Sequence, residues 1–153
     1  MTTICEGAFS NCKALKKVSF QSASKLERIE AKCFSESGIE EIVLPSELHV
    51  LEDFAFSNCQ CLKRVTFTEG SKLQEIGWKC FSCSGIDEIT IPSRVIVIHD
   101  EAFADCKTLR KVSFQKENRV EMIGKRCFFK NRLTEIEIPE TVKAIGKDAF
   151  DKC

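Results

Sequence analysis

Three near-identical stretches decide the fold: AFSNCKALKKVSF at residues 8–20, AFSNCQCLKRVTF at residues 55–67 and AFADCKTLRKVSF at residues 102–114. Their starting positions, 8, 55 and 102, are 47 residues apart. Between and after them lie three variants of the same pattern that have one residue fewer in the turn and end in proline: CFSESGIEEIVLP at 33–45, CFSCSGIDEITIP at 80–92 and CFFKNRLTEIEIP at 127–139. A fixed period of this kind indicates a repeat protein in which each copy is one structural unit.

One phenylalanine marks each unit. These residues are Phe9, Phe34, Phe56, Phe81, Phe103, Phe128 and Phe150, separated alternately by 25 and 22 residues. We call the units that start at Phe9, Phe56 and Phe103 long-turn units, because the turn after the phenylalanine is one residue longer there (SNCKAL against SESGI). Periods of roughly 20–29 residues are typical of leucine-rich repeats, so the spacing predicts a leucine-rich-repeat solenoid.

Each unit contains an apolar alternation that predicts a β-strand. The six alternations run over residues 15–20, 39–44, 62–67, 86–91, 109–114 and 133–138, as in Leu15-x-x-Val18-x-Phe20. Period two with β-branched and aromatic residues favours strands, and such short strands must pair with their equivalents in neighbouring units. The sequence therefore predicts a parallel sheet of six strands on one face. Pro45, Pro92 and Pro139 follow three of these strands, where a missing N–H ends the ladder without cost.

A second apolar pair precedes each marker phenylalanine from Phe34 onward, as in Leu26/Ile29 and Leu73/Ile76. We interpret this segment as a short strand that runs into a single helical turn at the phenylalanine, on the opposite face. The predicted fold class is thus a β-rich, L-domain-like solenoid. Its core consists of stacked equivalents, because one unit cannot bury its own apolar side chains.

Seven of the ten cysteines occupy repeat positions. Cys33, Cys80 and Cys127 precede their phenylalanine where the alternate units carry alanine, and Cys12, Cys59, Cys106 and Cys153 follow it by three residues. Exchange with alanine is typical of a small buried side chain, so we expect free thiols in the core. Disulfides between stacked equivalents are the alternative in an oxidising compartment.

The composition excludes several partners. Lys plus Arg equals Asp plus Glu at 23 each, and basic positions do not cluster with stacking aromatics, so nucleic acid is not an expected partner. No apolar stretch approaches the length that crosses a bilayer, so direct membrane insertion is not expected either.

The outward positions of the predicted strands form the candidate protein-binding face. Its residues are Lys17, Ser19, Glu41, Val43, Arg64, Thr66, Glu88, Thr90, Lys111, Ser113, Glu135 and Glu137. Along one row the sign of the charge alternates from unit to unit, as in Lys17, Glu41 and Arg64. One interpretation is a ladder of ion pairs that fixes the register of the units, and the other is a face adapted to a partner.

No motif for catalysis, cofactor binding or metal binding occurs in the sequence. Cys80-x-x-Cys83 stands alone, without the second ligand pair that zinc requires or the βαβ setting of a redox site. We therefore expect no enzyme, no cofactor and no metal. Thiol chemistry at Cys80 and Cys83 is the least favoured alternative.

The repeated pattern resembles a known family. Ile76-Gly77-x-x-x-Phe81, Ile123-Gly124-x-x-x-Phe128 and the stretch from Ala102 to Phe114 are similar to the Treponema-type leucine-rich repeats of BspA-like surface antigens. The resemblance implies a non-catalytic solenoid displayed on the cell surface, which adheres to host or matrix proteins. It carries over no catalytic residue.

The pattern assigns residues 1–153 to a single array that is truncated at both ends, since Met1 and Cys153 both fall within a unit. End-to-end self-association of such arrays is a further expectation, beside binding to a host or matrix protein. The location is open: the resemblance implies the cell surface, but the first residues lack the features of a signal peptide. An intracellular scaffold for protein–protein interaction is the alternative, and ten cysteines fit its reducing compartment.

Overall fold

The computed structural model describes residues 1–153 as a parallel β-solenoid with twelve short strands and no helix. The strands are β1 (Thr3–Ile4), β2 (Lys17–Val18), β3 (Arg28–Ile29), β4 (Glu41–Leu44), β5 (Val50–Leu51), β6 (Arg64–Phe67), β7 (Glu75–Ile76), β8 (Glu88–Ile91), β9 (Val97–Ile98), β10 (Lys111–Phe114), β11 (Met122–Ile123) and β12 (Ala144–Ile145). The predicted leucine-rich-repeat solenoid is confirmed. No helix of a kind that could span a bilayer is present.

The second apolar pairs build the largest sheet. It contains seven parallel strands in the order β1-β3-β5-β7-β9-β11-β12. Equivalent residues of successive units pair in register, as in Ile29 with Leu51 and Ile76 with Ile98. These inward residues are fully buried, so the sheet supplies one wall of the core.

The other face is less regular than the sequence predicts. Five strands, not six, form there, and they divide into a sheet of three (β2-β4-β6) and a sheet of two (β8-β10). Residues 133–138 follow the alternation but form no strand. Ile136 and Ile138 are only partly buried, so the apolar contacts that hold the equivalent strands in place are weaker in this unit.

The pairing of these strands alternates with the repeat. From a short-turn unit to the next long-turn unit, four residue pairs form, as in β4 with β6 and β8 with β10. From a long-turn unit to the next short-turn unit, β2 and β4 share two pairs, and β6 and β8 share none although they are neighbours. We call these two weak steps the seams. At each seam the strand ends in a half-buried phenylalanine, Phe20 or Phe67. A long linker of five residues follows it, QSASK at 21–25 or TEGSK at 68–72.

The seven marker phenylalanines stack into one column, which we call the spine. Successive ring centroids lie 5.1–5.4 Å apart, and the ring planes deviate from parallel by at most 10°. The five inner rings, from Phe34 to Phe128, are fully buried. They belong to one core cluster of 35 residues that runs through the whole array, so the solenoid has a single continuous core.

The backbone around the spine is not helical, and the predicted single helical turns are wrong. The backbone has positive φ at the second residue before each spine phenylalanine and at the second residue after it. Around Phe81 these are Lys79 (51°) and Cys83 (56°). A right-handed helix requires a run of negative φ values, which these residues interrupt. The Phe81 N–H instead donates to the carbonyl of Ala102 in the next unit, at 2.8 Å. Equivalent bonds link all units.

Glycine is required where two of the three short turns meet the preceding unit, and the third has Arg132 at the same position. A Cβ atom on Gly38 would lie 2.0 Å from the carbonyl oxygen of Lys13, and one on Gly85 would lie 2.2 Å from that of Gln60. Real Cβ atoms do not approach oxygen so closely. The sequence Ser-Gly-Ile of the short turn therefore allows it to rest directly on the backbone of the longer turn before it.

Candidate protein-binding face

The predicted rows of the face are present over the five paired strands. Lys17 lies beside Glu41, Glu41 beside Arg64, and Glu88 beside Lys111, in the register that the repeat predicts. The inward residues between them, such as Ile42 and Ile89, are buried. The outward side of β2, β4, β6, β8 and β10 is therefore a continuous solvent-facing surface, which we call the strand face.

Most candidate residues are on this surface. Lys17, Ser19, Val43, Arg64, Thr66, Glu88, Thr90 and Lys111 are exposed, and Glu41 and Ser113 are half-buried. Val43 is the one large apolar side chain on it, with 56% of its surface exposed. Glu135 and Glu137 are exposed too, but they belong to the segment that forms no strand and so extend the surface without extending the sheet.

Only part of the predicted charge ladder forms. The Arg64 guanidinium contacts Glu41 at 2.7 Å, and Lys16 contacts Glu40 at 3.5 Å. Lys17, Glu88 and Lys111 form no ion pair, although each has an oppositely charged neighbour in the adjacent strand. The ladder interpretation therefore accounts for Lys16, Glu40, Glu41 and Arg64. It leaves the charges of Lys17, Glu88 and Lys111 unpaired.

Shallow cavities lie over both seams. One of about 360 Å³ is lined by residues of β2 and β4, among them Lys17, Phe20 and Glu41. The other, of about 380 Å³, lies over β6 and β8 and extends to Lys111. A third cavity of about 600 Å³ spans β2, β4 and β6 and is lined only by charged residues, such as Lys16, Glu40 and Lys63.

The cysteines behave mainly as core residues. Cys33, Cys59, Cys80, Cys106 and Cys127 are buried, and all ten cysteines are free thiols. Burial raises the pKa of the Cys33 and Cys106 thiols to about 12 and that of Cys80 further. Reactive thiols require the opposite shift, so this environment does not favour thiol chemistry at Cys80. No cluster of metal-binding side chains occurs.

A second surface feature was not predicted. Trp78, with 40% of its surface exposed, packs edge-on against Phe54 at 4.7 Å, and the Lys79 ammonium lies 5.0 Å from the indole centroid. The backbone N–H of Trp78 donates to Asp53 Oδ1 at 2.9 Å, which holds the backbone of Trp78 in place. Trp78 is the only tryptophan, and Phe54 stands where every other unit has glycine or a charged residue. These two departures from the repeat are the sequence features that could have predicted this aromatic pair.

Comparison with known proteins identifies the family. The profile described as the BspA type leucine rich repeat region matches residues 1–110 and 27–153, with six copies. The chain belongs to the BspA-type leucine-rich repeat family. The proposed resemblance is therefore confirmed, and the BspA-type repeat is a module for protein–protein interaction in general. Its members are typically non-catalytic.

Several solved structures share the fold. A leucine-rich repeat protein from Bacteroides ovatus is 27% identical with a TM-score of 0.85, over 97% of this chain and 38% of that one. A leucine rich cell surface protein from Faecalibacterium prausnitzii is 26% identical with a TM-score of 0.56, over 89% and 43%. The pneumococcal vaccine antigen PcpA is 22% identical with a TM-score of 0.70, over 99% and 33%. The chain thus spans less than half the length of each, and no curated protein matches it.

Proposed function

We propose that this BspA-type array is a non-catalytic adhesion module, which binds a host or matrix protein through the strand face. The observation that carries the proposal is the set of unpaired charges, Lys17, Glu88 and Lys111, on the outward side of the two small sheets. A purely structural ladder would neutralise such charges within the sheet. Charges left free on a rigid surface are available to select a partner of complementary pattern.

Cell-surface display is part of the proposal. It is supported by the related Faecalibacterium structure, which is described as a cell surface protein, and by the likeness in fold to a vaccine antigen. The test is immunofluorescence on intact cells, followed by external protease treatment. Surface display predicts that the signal is lost on proteolysis, and a pool that is protected until lysis contradicts it.

The binding test uses a charge swap that retains an ion pair. In the variant Glu41→Arg with Arg64→Glu, the two residues still attract each other, but their signs on the strand face are reversed. The matched control is Glu121→Lys with Lys143→Glu, which reverses a 3.0 Å ion pair beside the seven-stranded sheet. We expect beads coated with the first variant to lose adhesion to host cells and matrix proteins at least tenfold, while the control adheres as the native chain does. Equal adhesion by both variants contradicts the assignment of the strand face.

An intracellular scaffold remains the second candidate, because ten free thiols fit a reducing compartment. The strand face would serve the same purpose there with an intracellular partner. A cytosolic pool in the proteolysis experiment favours this candidate. The two candidates therefore differ in location and partner, not in the surface used.

A further inference from the structure

The charged row of the strand face, extended by the last unit, has an even number of members with alternating sign. In order along the solenoid they are Lys17, Glu41, Arg64, Glu88, Lys111 and Glu135. Such a row becomes its own complement when it is reversed, because each cation then takes the place of an anion. A second copy of the chain that runs in the opposite direction therefore presents the opposite charge at every position of the row.

Symmetry selects one arrangement of the two copies. Two identical faces meet around a twofold axis that lies in the plane of contact. An axis parallel to the solenoid sets each unit opposite itself, which does not bring the opposite charges of the row together. An axis parallel to the strands reverses the order of the units. All six members of the row then face an opposite charge only if this axis passes between β6 and β8, which are neighbours at the second seam. The match holds for any distance between units, because both copies have the same spacing.

This arrangement gives a partner to each charge of the strand face that has no ion pair within the chain. The facing residues are Lys17 and Glu135, Lys111 and Glu41, and Glu88 and Arg64, and each contact occurs twice by symmetry. The ion pair between Arg64 and Glu41 need not break, because a guanidinium has five N–H donors and a carboxylate accepts more than one of them.

The rows on either side are compatible with a close approach of the two faces. On one side the five strands carry only small uncharged side chains, which are Ser19, Val43, Thr66, Thr90 and Ser113. On the other side a second charged row has the same alternation, in the order Lys16, Glu40, Lys63, Asp87 and Arg110. In the reversed copy Asp87 lies opposite Lys63, and Arg110 lies opposite Glu40. The second charged row is therefore complementary to itself in the same arrangement.

We propose that two copies of the chain associate through their strand faces as a symmetric dimer, with antiparallel solenoids and the twofold axis between β6 and β8. Alternating charges make most of the contact, so the dimer is held mainly by electrostatic attraction and is weakened by salt. The dimer covers the surface assigned to the host or matrix protein, so self-association and adhesion compete for it. The inference goes beyond the proposed function and does not depend on it.

Sedimentation equilibrium of the purified chain tests the association. At protein concentrations up to about 1 mM we expect a reversible equilibrium between monomer and dimer, with no larger species. The dissociation constant should rise at least tenfold between about 50 mM and about 500 mM NaCl. A reducing agent prevents disulfides between exposed thiols. A chain that stays monomeric at low salt overturns the inference, and so does an open series of oligomers, which would indicate end-to-end association.

Two charge reversals next to the axis test the arrangement. Arg64→Glu places a glutamate opposite Glu88 of the second copy, and Glu88→Arg places an arginine opposite Arg64 of the second copy. We expect each variant alone to dimerise at least tenfold more weakly than the native chain. In an equal mixture of the two variants both contacts again join opposite charges. The mixture should therefore form heterodimers with close to native affinity.

Matched controls carry the same substitutions beside the seven-stranded sheet. Arg28→Glu removes an ion pair between units, as Arg64→Glu does. Glu27→Arg reverses an exposed glutamate that has no ion pair, as Glu88→Arg does. Both controls should dimerise as the native chain does. Native dimerisation of the two axis variants, or a mixture that does not recover it, overturns the inference.

Urea titration verifies that each variant is folded. The pair Lys111→Glu and Glu41→Lys, which also face each other across the contact, replaces the first pair if either chain is unfolded. The expected results and the results that overturn the inference are then the same.

The two proposals fail in different ways, because dimerisation is measured on the purified chain alone. If the chain is monomeric and its Glu41→Arg, Arg64→Glu variant loses adhesion, the strand face binds a foreign partner and the dimer is wrong. If the chain dimerises with the expected pairing and that variant still adheres, the strand face serves self-association and the proposed function is wrong.

Discussion

Arg64 reaches back to Glu41 across the well-paired step between β4 and β6, at 2.7 Å, and not across the seam to Glu88. The two glutamates are equivalents in the repeat, 47 residues apart. Each faces a cation across a well-paired step, Glu41 facing Arg64 and Glu88 facing Lys111. Only the first of these two pairs forms an ion pair, so the same repeat positions are bonded in one 47-residue block and not in the next.

Charge reversal at Arg64 should cost stability. In Arg64→Glu the new carboxylate would lie against Glu41 and beside Glu88, so the ion pair is replaced by repulsion. We expect the free energy of unfolding to fall by about 1 kcal/mol in urea titration. Lys116→Glu, at an exposed site without an ion pair, is the control and should change it by less than half as much. Equal losses would remove the case for a structural ion pair on the strand face.

Alanine should not be tolerated at Gly85. Its Cβ atom would collide with the carbonyl of Gln60, so the short turn must move away from the preceding unit. We expect Gly85→Ala to lower the free energy of unfolding by about 2–3 kcal/mol, in the range of overpacked sites. Gly70→Ala is the control, since no atom lies within 4 Å of its added Cβ and only the positive φ of Gly70 (73°) makes alanine costly there. A smaller loss at Gly85 than at Gly70 would contradict the close contact.

Removing a ring from the spine should be the most costly substitution. Phe81 is fully buried between Phe56 and Phe103, at 5.2 and 5.3 Å, and Phe81→Ala leaves a cavity in the continuous core. We expect a loss of about 3–5 kcal/mol in denaturant unfolding. Phe54→Ala, which removes a half-buried ring from the surface pair with Trp78, should cost less than half of that. Comparable losses would mean that the spine is not the centre of stability.

Stability should fall at alkaline pH. Burial raises the pKa of Cys106 from 9.0 to about 12, so above pH 9 the unfolded chain loses a proton that the folded chain keeps. The free energy of unfolding therefore decreases between pH 9 and 12, by about 1.4 kcal/mol per pH unit for each such thiol. Cys106→Ser, which copies Ser84 of the preceding unit, should make this slope shallower by that amount. Leu109→Val, a buried substitution without a titratable group, should leave the slope as it is.

Thiol titration separates a structural role of the cysteines from a chemical one. In the native protein we expect Cys5, Cys61 and Cys153 to react first with a thiol reagent, because they are exposed. The buried thiols should react only on unfolding. Rapid and selective modification of Cys80 together with Cys83, located by mass spectrometry, would instead support thiol chemistry there.

The sequence was sufficient to predict the solenoid, because large apolar side chains recur in it at a fixed period. The spine, the inward strand residues and the strand register all follow from which positions repeat, and the pairing of Glu41 with Arg64 confirms that register. The turn conformation could not be read in this way. Lys79, Glu101 and Arg126 adopt positive φ, which their residue types do not favour, and only the hydrogen bonds to the next unit require it.

The candidate site was predictable in its residues and not in its geometry. Outward positions follow from alternation, so the rows of the strand face were foreseeable. The seam between β6 and β8 was not, because the alternation is as clear in these two strands as in β4 and β6. The absence of a strand at residues 133–138 could not be predicted for the same reason. A pattern of apolar residues does not show how well the next unit covers each side chain.

The weak and strong steps of the sheet also restrict how such an array can evolve. Sign of charge, turn length and pairing strength all recur after two units, so the smallest segment that can be duplicated or lost without a mismatch is 47 residues long. Insertion of a single unit would bring two cations or two anions into adjacent rows and place a long linker beside another long linker. Genes for arrays of this kind are therefore expected to lengthen and shorten in even steps.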